Sequence, residues 1–271
     1  MRKINTLLIS VIYMLVPAFL QAAQSLDVPG ISGADNRLIN ETDAYPWSAV
    51  GRLNITTGGF CTAVVIGPRR ILTSAHCLWN KRVGRWYPPC ALHFLAGYSK
   101  GKYKVHALAA ELHIAEGYKK GNKLVSERDW AIITLNKDVA KDTGVIEFYK
   151  QTPKKGLRII QAGYSRDRRH VLTIDETCKV LNSPKAQKLM AHNCDATFGD
   201  SGSPLLVRNG NRYQTLGIHK GFSKRKQGVV GVAVSVLPAQ KWLRQYPITK
   251  LPNSVKACMV EDKEIFVSLI N

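Results

Sequence analysis

Short apolar runs recur along most of the chain, each bounded by glycine, proline or charged residues. Cys61–Ile66, Arg70–Thr73, Leu92–Ala96, Ala131–Leu135, Arg158–Ala162, Leu205–Val207, Thr215–His219 and Val229–Val236 have the length and composition of strands. Long helical periodicity is scarce. The exception is Pro238–Tyr246, where a proline start and apolar spacing predict a short helix. Many short strands in one chain predict an all-β protein, built as barrels or a sandwich. The polar stretch Lys137–Lys155 predicts a boundary between two halves, 31–145 and 146–247, with 248–271 as a tail. No internal repeat or low-complexity segment is present.

The amino terminus follows another pattern. Met1-Arg2-Lys3 is basic, Leu7–Leu20 is apolar, and Gln21-Ala22-Ala23-Gln24-Ser25 offers small residues for cleavage. That is the pattern of a secretory signal peptide over 1–23, with 24–30 read as a propeptide. The apolar run is short for a membrane span and Pro17 interrupts it. No other stretch is long enough to cross a bilayer, so the expectation is a secreted protein, extracellular or periplasmic, without a transmembrane segment after processing.

Composition adds two constraints. The 271 residues, 45% hydrophobic, suffice for one large domain or two small ones. Lys and Arg number 39 against 19 acids, a formal charge of +20. The basic clusters are spread over many loops, including Lys154, Lys155 and Arg158, and Arg166, Arg168 and Arg169. Such a surface serves solubility, and it attracts polyanions or anionic lipid by long-range, salt-sensitive forces. No nucleic-acid-binding motif accompanies it. Six cysteines in an exported chain suggest disulfides, and spacing alone does not decide the pairing.

Three strings carry chemistry. Thr73-Ser74-Ala75-His76-Cys77 places a histidine after an apolar run. Arg128-Asp129-Trp130 places an aspartate at the mouth of Ala131–Leu135. Gly199-Asp200-Ser201-Gly202-Ser203-Pro204 places a serine between glycines. A serine hydroxyl is a poor nucleophile until a base takes its proton, and that base needs a third group to fix its tautomer. Ser201, His76 and Asp129 fill those roles in one of the chain orders in which the triad occurs. The oxyanion that forms on attack needs backbone N–H donors, for which Gly199 and Ser201 are the candidates.

At these residues, and over about Ile31 to Tyr246, the chain resembles the trypsin/chymotrypsin-like serine proteases. Ser201-Gly202-Ser203-Pro204, Cys194-Asp195 and Gly217-Ile218-His219 resemble the bacterial, glutamyl-endopeptidase-like branch more than the animal digestive enzymes. The resemblance implies two six-stranded antiparallel β-barrels and a short C-terminal helix. His76 and Asp129 would come from the first barrel and Ser201 from the second. It also implies the disulfides Cys61–Cys77 and Cys178–Cys194. Cys90 and Cys258 remain, as a third pair that ties down the tail or as two thiols.

The same resemblance bears on specificity and activation. Asp195 falls at the base of the primary pocket and Gly231 at a position that keeps such a pocket open, which implies cleavage after Arg or Lys. His219 matches the histidine that binds the substrate carboxylate in glutamyl endopeptidases, so cleavage after Glu is the alternative. Phe222, on the pocket wall, would narrow the entrance and favour small residues, and Asp195 has a structural reading as a turn cap. Lys220 falls where trypsin-like enzymes carry a serine near the triad aspartate; the sequence does not say where its ammonium goes. Asp200 matches the aspartate that pairs with a new amino terminus in trypsin-like zymogens. That terminus would be Ile31, or Leu38 after cleavage at Arg37; otherwise Asp200 has an internal partner and no zymogen exists.

The expected function is a secreted serine endopeptidase acting on protein or peptide substrates. The competing class is a protease fold retained as a cationic, polyanion-binding homologue. Such homologues usually lose His or Ser, and this chain keeps all three triad residues. His93, His106, His113, His170 and His192 form no HExxH-like spacing, so neither a catalytic metal nor a cofactor is inferred.

Overall fold

The computed structural model of the protein describes residues 28–118, 127–182, 188–225 and 228–246. The expected signal peptide, most of the expected propeptide and the tail with Cys258 lie outside them. The architecture is mostly β, as expected.

The first half is a closed barrel. Its strands run Val50–Ile55, Phe60–Gly67, Arg70–Thr73, Ala131–Leu135, Val105–Ile114 and Leu92–Ala96, each paired antiparallel with the next and the last with the first. Every residue of Arg70–Thr73 and Ala131–Leu135 is buried. These strands are covered on both faces, so they read as continuous apolar runs rather than alternating ones. Val64, Ile71, Leu72, Phe94, Ile132 and Ile133 are fully buried and fill this half.

The second half is a nine-stranded sheet. Leu172–Asp175, Ile160–Gly163, Pro204–Asn209, Arg212–Arg225, Gly228–Ser235, Leu189–His192 and Val180–Asn182 follow one another across it, and Glu147–Phe148 pairs parallel to the side. The path curls back on itself. Val180 N–H donates to Leu157 O at 2.9 Å and Ile159 N–H to Cys178 O at 3.1 Å, beside a bridge between Arg158 and Lys179. These bonds return the last strand to the segment that leads into Ile160–Gly163, giving the second half its barrel form.

Two segments cross between the halves. Leu38–Asn40 precedes the first barrel in sequence yet pairs antiparallel with Leu172–Asp175 in the second. The helix Leu237–Gln245 follows the second half and packs on the first. The Trp242 ring lies tilted against His113 at 4.5 Å between centroids, and the Arg70 guanidinium bonds Tyr246 O and faces the Trp242 ring. Pro238 sits in its first turn, where its fixed φ and missing N–H cost nothing.

Candidate active site

His76 stands on a single 3₁₀ turn, Ala75–Leu78, directly after the buried strand Arg70–Thr73. The Cys61–Cys77 disulfide ties that turn to Phe60–Gly67. Asp129 precedes Ala131–Leu135, the strand paired with Arg70–Thr73, so register alone brings the two side chains together. Asp129 Oδ1 accepts the backbone N–H of His76 at 2.9 Å, and Oδ2 lies 2.8 Å from His76 Nδ1. On the other side of the ring, Nε2 lies 2.8 Å from Ser201 Oγ. Asp129 is buried, whereas the His76 side chain is 29% exposed, so the nucleophile faces open space and the orienting carboxylate does not. The Lys220 ammonium lies 3.9 Å from Asp129 Oδ2.

The serine loop is clamped between the halves. Thr62 N–H of the first half donates to Ser201 O at 2.9 Å, and Gly202 N–H donates to His219 O at 2.7 Å. Gly202 has φ +86, and a Cβ there would come within 2.1 Å of Thr62 O, so only glycine fits after the serine. Gly199 has φ +97, and a Cβ there would come within 2.5 Å of Tyr164 O. Among the described residues, no protein acceptor takes the N–H of Gly199 or of Ser201.

Asp200 anchors the loop from below. Its carboxylate accepts Ser165 Oγ at 2.7 Å, Thr197 N–H at 2.8 Å and Gln161 Nε2 at 3.2 Å. Burial pushes its pKa up to about 6, against the pull of the Ser165 and Thr197 hydrogen bonds. The expected pairing with a new amino end at Ile31 requires cleavage before Ile31, and here the chain runs on uncleaved from Val28 through Ile31. Three internal donors already occupy the carboxylate, and Ile31 N–H donates to Val28 O at 3.0 Å. The alternative terminus at Leu38 meets a different obstacle. The Arg37 guanidinium is fully buried between Asp35 at 2.8 Å and Asp167 at 2.7 Å, so the bond after it is held down by two ion pairs.

The pocket residues are also placed differently from expectation. Asp195, 2% exposed, does not stand free at a pocket base. Its carboxylate accepts Asn36 N–H and Asn36 Nδ2, each at 2.9 Å, and Ser32 N–H at 3.3 Å, which pins the amino-terminal segment to the second half. Its own N–H donates to Asp175 Oδ2. These contacts favour the structural reading of Asp195. Gly231 lies against a histidine ring. A Cβ there would come within 2.1–2.6 Å of the His192 ring atoms, so this glycine makes room for a histidine. Phe222 lies edge-on to Phe198 at 5.7 Å, and Gly30 of the amino-terminal segment packs closely on it.

His192 went unassigned in the sequence because the ring it meets, His219, lies 27 positions away. Cys194 N–H donates to His192 Nδ1 at 3.2 Å, and His192 Nε2 lies 3.1 Å from His219 Nδ1. An Nδ1 that accepts leaves the His192 proton on Nε2, which donates to His219. The His219 proton then sits on Nε2. Among the described residues, that buried Nε2 has no partner. Burial pushes the His192 pKa down to about 3 and holds His219 well below the ordinary imidazole range, with His192, His76 and Lys220 adding to the latter shift. Both rings are neutral, and the second presents an unused donor. The Cys178–Cys194 disulfide holds the strand end from which this chain starts.

Comparison with known proteins agrees with this architecture. The Trypsin family model matches residues 38–243, and the chain belongs to that family. A glutamyl endopeptidase of Bacillus licheniformis is 23% identical over 196 residues; the match covers 68% of this chain and 57% of the relative. The chain thus spans little more than half the length of that relative. A solved structure described as a Glu endopeptidase in complex with MPD superposes with a TM-score of 0.67 at 22% identity, covering 80% of this chain and 98% of the other.

Proposed function

We propose that the protein is a serine endopeptidase that forms an acyl-enzyme on Ser201. One observation carries this reading: His76 lies 2.8 Å from both Asp129 Oδ2 and Ser201 Oγ, through opposite ring nitrogens. Ser201 Oγ attacks the peptide carbonyl as His76 Nε2 takes its proton. Asp129 stabilises the imidazolium and keeps Nδ1 protonated. The Gly199 and Ser201 N–H groups receive the oxyanion. His76 then gives its proton to the departing amine, and water repeats the sequence on the ester. The signal peptide, if cleaved, delivers this enzyme outside the cytoplasm, and the surplus of Lys and Arg attracts anionic partners there.

For the acyl-side residue we favour an acidic side chain, which reverses the sequence-based preference for Arg or Lys. Asp195 is committed to the donors of Ser32 and Asn36, and a guanidinium would have to displace them. The buried His219 Nε2–H needs an acceptor, which a substrate carboxylate supplies. The names of the relatives point the same way. A peptide-library cleavage profile of the secreted protein, with Ser201→Ala as control, tests both parts. Cleavage after Glu that disappears in Ser201→Ala is the expected result. Cleavage after Arg would restore the pocket-base role of Asp195.

A further inference from the structure

The residues given to the acyl side are His219 and Phe222. A cleft of about 460 Å³ contains His76, Gly199 and Ser201 but neither of these, nor Asp195 or Gly231. The departing amine receives its proton from His76, so the half of the substrate that leaves lies on the His76 side, over the Cys61–Cys77 disulfide. Three cations line this cleft: Lys81 and Arg82 from the loop after the histidine turn, and Arg166 from the second half. Arg166 is steadied by the Phe198 ring, 5.3 Å from its guanidinium carbon. Among the described residues, no acidic side chain lines the cleft and no carboxylate pairs with any of the three. Phe60 and Trp79 supply the apolar floor.

We propose that this cleft is a binding site for the leaving peptide that selects acidic residues just after the scissile bond. The inference rests on the protease reading for what leaves, but the binding itself does not require turnover. All three cations come from exposed loops, so each pairing is worth only a roughly 1.5- to 5-fold effect, and together they amount to on the order of tenfold at low salt. Salt screens such contacts.

The test uses internally quenched peptides that share one acyl side and carry Glu-Glu, Ala-Ala or Lys-Lys after the scissile bond. For the wild type, kcat/KM should favour Glu-Glu over Ala-Ala by about tenfold at low salt, with Lys-Lys lowest. The ratio should fall towards one in the triple variant Lys81→Gln, Arg82→Gln, Arg166→Gln and at high salt. It should persist when three basic residues outside the cleft, Lys137, Lys141 and Lys150, are changed to Gln instead, which separates the cleft from the general charge of the surface. Equal rates on all three peptides, or a preference that survives the cleft variant, would overturn the proposal. A second measurement is independent of catalysis: fluorescence anisotropy of labelled Ala-Glu-Glu and Ala-Lys-Lys peptides on Ser201→Ala. Tighter binding of the acidic peptide, lost with the three cleft substitutions, supports the site even if the wild type hydrolyses nothing, in which case only the protease reading falls. Equal binding of the two peptides overturns the site.

Discussion

Replacing Asp195 by Ala separates two roles for one carboxylate. In the structure it holds the amino-terminal segment through two contacts at 2.9 Å and one at 3.3 Å. Hydrogen bonds to a charged group contribute about 1.5–3 kcal/mol each, and the longest of the three contributes little. Removing the acceptor leaves the Asn36 N–H and amide without a partner, while relieving the cost of burying the charge. The net loss should be about 3 kcal/mol, or roughly 6–12 °C in Tm for a chain of this size. Thermal unfolding by circular dichroism, on a Ser201→Ala background to suppress self-cleavage, reads it directly. Limited proteolysis should also open the bonds around Asn36 and Arg37. A Tm within about two degrees of the parent, combined with a large fall in kcat/KM on Arg substrates in the active background, would show that the carboxylate serves the substrate and that the tether is incidental.

Other consequences are testable alongside it. Ser201→Ala or His76→Ala should lower kcat by roughly 10⁴–10⁶, the scale on which triad members act; activity retained in either would break the mechanism. Gly231→Ala should destabilise the fold by at least about 1–3 kcal/mol because the new methyl runs into the His192 ring, visible as a lowered urea midpoint. Acid should weaken the protein. The folded-state pKa of His192 is depressed from 6.5 to about 3, so its contribution is complete above pH 6.5 and is lost as pH falls towards 3, at most about 5 kcal/mol. The raised pKa of Asp200 works the other way: its contribution is complete below its unfolded value of 3.8 and is lost as pH rises through about 6. The two slopes oppose each other between about pH 4 and 6, and His219 adds to the histidine side. Urea titrations across this range should show Asp200→Asn losing stability on acidification more steeply than the wild type. A shallower loss in that variant would reverse the assignment.

What was legible in the sequence is what chemistry fixes locally. His76, Asp129 and Ser201 each sit in a short string whose neighbours are dictated by the backbone around them, and the strings meet because two buried strands pair in register. The surrounding architecture was harder to read. Val105–Ile114 carries three Ala and one Glu, residues of poor strand propensity. It is a strand because Leu92–Ala96 and Ala131–Leu135 pair with its two edges, and tertiary pairing outweighs local preference. The contacts of the pocket candidates were hidden for a related reason. The donors that occupy Asp195 lie 159 and 163 positions away, and the ring that fills the space beside Gly231 belongs to a neighbouring strand. No local pattern records either contact. The burial of Arg37 was hidden for the same reason, because its pairing with Asp167 depends on how a distant loop docks.

The most direct test of the central claim is covalent. A fluorophosphonate reacts with a serine only when that serine is activated as a nucleophile, so intact mass and peptide mapping of the treated protein report the acyl-enzyme chemistry without any assumption about substrate. One adduct, located on Ser201 and absent after His76→Ala, is the expected result. No adduct on a folded protein, or an adduct on another residue, would contradict the assignment of Ser201 as the nucleophile.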